Sequence, residues 1–151
     1  MALDDSLYDF YTWFAPESLL TDLYREELLT PLTLTTVAIA LIGMAVYYYV
    51  LNRNSPRNAG LGQWGLSLLI SGLITFLAVL ITCFQKAADE QPRSQNPADG
   101  LLFDQGFGTF AGFALEMMLL AMLLFFVFSI FLKRWSTHAK IRPFLWPDRI
   151  R

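Results

Sequence analysis

Glu116 is the residue whose type and place carry the most chemistry in this chain. It is the single ionisable side chain between Phe107 and Leu132, a run that as a helix reaches roughly 39 Å, longer than the hydrocarbon core of a bilayer. The three apolar runs of the chain hold no lysine or arginine. An ionised carboxylate there would lack a partner, so the group is expected to be protonated, hydrogen-bonded to hydroxyls, or wetted by a cavity. Such a carboxyl can draw cations into a hydrated path or fasten helices together. If the hydrocarbon begins nearer Phe113, it lies only at the interface.

The hydroxyls that could meet it sit in the second apolar run. Ser67, Ser71, Thr75, Ala78 and Thr82 follow at steps of three and four, which places them on one helix face. Bonded back to their own i−4 carbonyls they make an ordinary packing face. Facing water they make the wall of a conducting pathway. Small residues form further stripes: Gly108 and Gly112 lie on the same helix face as Glu116, and Thr36, Ala40 and Gly43 line the first run. Both allow helices to approach closely.

These residues require an all-α integral membrane fold. Of the 151 residues, 55% are apolar and 16% charged, and the charges gather outside the three long runs. Transmembrane helices are predicted over 31–51, 64–84 and 107–132, with Tyr47 to Tyr49, Trp64 and Trp135 as interfacial aromatics. Residues 52–63 form a polar turn, 85–106 a mobile loop with Pro92, Pro97, Gly100 and Gly106, and 133–151 a basic tail. In residues 1–30 no cleavable signal pattern is present. Two short amphipathic helices are predicted there. In the first, Leu7, Phe10, Tyr11 and Phe14 share a face that Asp4, Asp5 and Asp9 avoid; after Pro16 comes a second, with Leu19, Leu20, Leu23 and Tyr24 apolar and Glu26 and Glu27 exposed.

Basic residues near the spans set the orientation. Arg53 and Arg57 of the first loop and six in the tail make eight on one side; Arg25, Lys86 and Arg93 make three on the other, which holds eleven of the thirteen acids. Residues 1–30 and 85–106 are therefore expected outside, and 52–63 and 133–151 in the cytoplasm, most simply of a bacterial inner membrane. In the tail, Phe144, Leu145 and Trp146 stand between Pro143 and Pro147 beside Arg142. This segment suits docking of a cytoplasmic protein partner or anchoring on anionic lipid.

One cysteine, Cys83, excludes an intrachain disulfide, and one histidine, His138, excludes a bis-histidine haem. No phosphate-binding glycine loop, zinc-protease motif or nucleophile motif occurs, so neither an enzyme, a cofactor nor a nucleic-acid partner is expected. Three helices make a thin bundle whose small-residue faces exceed what one chain can cover, which points to a homo-oligomer within the lipid bilayer. The functional expectation is a non-enzymatic scaffold or anchor in a larger secretion or injection machine. The other expectation is an ion-conducting subunit lined by the hydroxyl face and Glu116.

Overall fold

Each long apolar run becomes a helix because, without water, backbone amides and carbonyls can be satisfied only along the segment itself. The computed structural model describes residues 2–51, 61–89, 91–92 and 100–132. Two short helices, α1 (Ala2–Tyr11) and α2 (Glu17–Arg25), precede α3 (Leu29–Ala45), which continues through a wider i to i+5 turn over Val46–Leu51; α4 (Leu61–Ala88) and α5 (Phe107–Leu132) follow. The three helices Leu29–Leu51, Leu61–Ala88 and Phe107–Leu132 are long and apolar enough to cross a membrane. That places the chain among integral membrane proteins. No strand occurs among the described residues; Pro92 and Leu101 make one isolated antiparallel bridge.

The chain divides into two compact units, Met1–Thr35 with Thr75–Met117, and Thr36–Ile74 with Met118–Arg151. In the first, α1 ends as Phe14 and Ala15 donate their amides to the Tyr11 carbonyl. Pro16, at φ −64°, then opens α2, where its missing N–H costs no helical bond. The core of this unit includes Tyr11, Leu19, Leu20, Leu23, Phe110 and Phe113, with the Tyr11 and Phe113 rings edge-on at 6.0 Å. In the second unit Ala40, Met44, Tyr47, Tyr48 and Phe125 form the buried cluster, against which Trp64, Leu68 and Phe128 pack. Tyr47 and Tyr48 are adjacent yet both buried, their rings 4.9 Å apart at 79°. The wider turn lies over these same residues.

Several short-range expectations are revised. Tyr24, assigned to the apolar face of α2, is exposed, whereas Asp22 is buried. Glu26, assigned to solvent, is half-buried and paired with Lys86 at 2.9 Å. Asp4, assigned away from the packing face, accepts a hydrogen bond from Thr30 at 2.6 Å. The end of the 85–106 segment is pinned rather than loose, with Leu102 and Phe103 buried.

Candidate functional site

Within the second unit the small residues of α3 are used up by the chain itself. Thr36 and Ala40 are fully buried. Gly43 lies so near α4 that a Cβ there would run into Ser71 Oγ and stand 3.2 Å from Ser71 Cβ. Ser71 Oγ donates to the Ser67 carbonyl at 2.9 Å, the back-bond that lets a hydroxyl pass as a small apolar group. Gly72 serves a second contact, since a Cβ there would sit 3.0–3.2 Å from side-chain atoms of Met118 and Met122. Trp64 Nε1 donates to Ser129 Oγ at 3.2 Å, and its ring meets Phe125 edge-on at 6.0 Å.

In the first unit Thr75 is buried, and Thr82, half-buried, donates to the Ala78 carbonyl at 2.9 Å. The hydroxyl face of α4 is thus turned inward or half-covered along its length, while Leu66, Leu69, Leu73, Leu77 and Ile81 stay exposed on the other side. Glu116 is half-buried, and its Oε2 is enclosed without a hydrogen-bond partner. No hydroxyl bonds to that atom, and those of Ser71 and Thr82 donate to carbonyls of their own helix.

Gly108 and Gly112 behave differently from Gly43. Both are exposed, and a Cβ at either would meet nothing within 4 Å. They open an exposed stripe of α5 that continues through Leu115, Leu119, Leu123, Val127 and Phe131. Of the small-residue faces expected to exceed what one chain can cover, those of Ala40, Gly43 and Ser71 are covered and that of Gly108 and Gly112 is not.

A polar network in the first unit ties the N-terminal helices to the loop and to the start of α3. Asp22, 1% exposed, accepts from the Phe103 amide at 2.9 Å and from Gln105 Nε2 at 2.6 Å. Phe103 takes a positive φ of 57°, flanked by Gly100 and Gly106 at 77° and 81°, the conformation glycine adopts without strain. Tyr24 donates its hydroxyl to Asp5 at 2.6 Å, and Tyr11 and Thr33 share a hydrogen bond of 2.9 Å. The Thr30 bond holds the Asp4 carboxyl below its ordinary pKa. Donation to Asp5 raises the Tyr24 phenol, and burial raises that of Tyr11 against the opposing bond with Thr33. Asp22 was missed in sequence, although it stands three residues after Leu19 and so on the apolar side of α2.

Cys83 is a buried free thiol. Arg142, Phe144 and Trp146 lie outside the described residues. Among the described residues no group of three or more His, Cys, Asp or Glu side chains could hold a metal ion. No family model matches the chain, and neither a curated protein nor a solved structure does.

Proposed function

We propose that this chain is a non-enzymatic membrane subunit that assembles with copies of itself, as scaffold or anchor of a larger membrane-spanning assembly of the secretion or injection type. The observation that carries the proposal is the bare outward face of α5, where Gly108 and Gly112 have nothing of the chain upon them. In lipid, helices gain little from apolar contact alone, and exposed glycines one turn apart let a neighbouring backbone come close. Glu116, one turn further along, is half-buried and keeps its Oε2 enclosed without a donor, so its carboxyl must turn outward to meet a hydroxyl or amide of a second copy. The basic-residue count supports an N-terminus outside and a tail in the cytoplasm, where Arg142, Phe144 and Trp146 would meet a protein partner.

An ion-conducting subunit is the alternative, and the unpartnered Glu116 Oε2 is what favours it. The inward, back-bonded hydroxyls of α4 support the scaffold instead. The test is oligomeric mass in nanodiscs together with bilayer conductance. Gly112→Ile is expected to lower the mass and Leu77→Ile, on the exposed face of α4, to leave it unchanged; equal masses for wild type and Gly112→Ile would overturn self-association through α5. Glu116→Gln, which still donates and accepts, is expected to be nearly silent, and Glu116→Leu to weaken the oligomer. Conductance that disappears in the Gln variant with the oligomer intact would establish the channel.

A further inference from the structure

α1 and α2 form the walls of a recess that combines carboxylates with aromatic rings. Asp5, Tyr8 and Asp9 come from α1, Thr21 and Tyr24 from α2, around a cavity of about 360 Å³. The Tyr8 and Tyr24 rings meet edge-on, centroids 5.5 Å apart at 73°, and both line the recess. Asp5 and Asp9 are four residues apart on one helix face, an arrangement of like charges that weakens a helix unless a cation answers it. α1 supplies none, because its last turn has no basic residue. Among the described residues neither carboxyl is paired with a lysine or arginine. The Asp5 carboxylate takes the Tyr24 hydroxyl at 2.6 Å, which fixes one wall. Thr21 is spent on the Glu17 carbonyl at 2.8 Å, and Thr12 on that of Asp9 at 2.7 Å. The Asp9 carboxylate is left to face the recess.

Aromatic rings with carboxylates at the rim are the chemistry that recognises an organic ammonium group. A divalent ion would use only the two carboxylates, one already engaged, and would leave the ring walls without a part, whereas an organic ammonium uses both. The position of the recess indicates the source. Glu26, Glu27 and Leu28 alone separate α2 from the membrane-spanning helix that starts at Leu29. On α1, Phe10, Trp13 and Phe14 are 48%, 88% and 43% exposed, the side chains that settle at headgroup depth. We propose that the α1–α2 recess binds the ammonium of a phospholipid headgroup, with Tyr8 and Tyr24 as ring walls and Asp9 as counter-charge. The site stands independently of any self-association.

The test uses the full-length protein in detergent and native mass spectrometry of retained lipid. Phosphatidylethanolamine is expected to be retained several-fold more tightly than phosphatidylglycerol of the same acyl chains. N-acyl phosphatidylethanolamine, which keeps the phosphate and lacks the ammonium, should lose that advantage on the wild-type protein. Asp9→Asn, at an exposed position, should abolish the preference with an unchanged circular dichroism spectrum; Tyr8→Phe should keep it and Tyr8→Leu should reduce it. Millimolar ethanolamine or choline distinguishes the sources: free amine that displaces the lipid only at large excess assigns the site to headgroups, whereas displacement at equal affinity assigns it to soluble amines. Equal retention of the two phospholipids, or a preference unaltered by Asp9→Asn, would overturn the proposal.

Discussion

Asp22 does for the first unit what a disulfide or a metal does elsewhere: one side chain holds two distant stretches of chain. Its partners lie 81 and 83 residues away, at Phe103 and Gln105. That is why its part was illegible in sequence, where an acid among leucines on a short helix gives no hint of which amide it serves. Glu116 was easier to notice, being alone in an apolar run, yet its surroundings were equally hidden. Removing a buried acceptor strands its donors, so Asp22→Ala is expected to cost roughly 3 kcal/mol in thermal unfolding in micelles and to expose residues 101–105 to protease. Asp22→Asn keeps one carbonyl acceptor and should cost less. An Asp22→Ala protein that melts and resists cleavage like wild type would mean that packing of Leu102 and Phe103 suffices without the bond.

At the scale of helices the long spans were legible, and the ends of one of them were too. α5 runs over Phe107–Leu132 as read from its apolar composition, whereas α4, expected over 64–84, extends over Leu61–Ala88. Hydropathy marks what dissolves in hydrocarbon; hydrogen bonding then carries the helix into Gln63 at one end and Gln85 and Lys86 at the other. The small-residue stripes were found, but not which of them the chain would cover, since Gly43 and Gly112 look alike until Ser71 is placed beside the first. A methyl on Gly43 must turn Ser71 Oγ off the Ser67 carbonyl, so Gly43→Ala is expected to destabilise by about 1 kcal/mol or more. Ser71→Ala removes the obstructing atom. The double variant should therefore be more stable than the sum of the single costs, by at least about 0.5 kcal/mol in a four-protein unfolding cycle. Strict additivity would show that the two helices are not in contact at this point.

For the whole molecule, orientation is the most direct expectation. In a Cys83→Ala background, Ser55→Cys is expected to react with an impermeant maleimide only from the cytoplasmic face and Ser94→Cys only from the opposite face, because eight of the eleven basic residues lie in the first loop and the tail. Reversed labelling would invert every assignment of partner to surface. The outward stripe of α5 carries a further consequence, because its side chains are small at one end, Gly108 and Gly112, and larger beyond, from Leu115, Leu119, Leu123 and Val127 to Phe131, 70% exposed. Separation between packed helices varies by about 2 Å with the side chains at the contact. If two copies pack on this stripe, that difference over the roughly 35 Å from Gly108 to Phe131 would splay them by about 3°. Repeated around a closed ring, the splay would make a wedge-shaped collar, narrow at the glycine end. Such a collar would favour a bilayer already bent to match it, and the place where it assembles would then be chosen partly by membrane curvature.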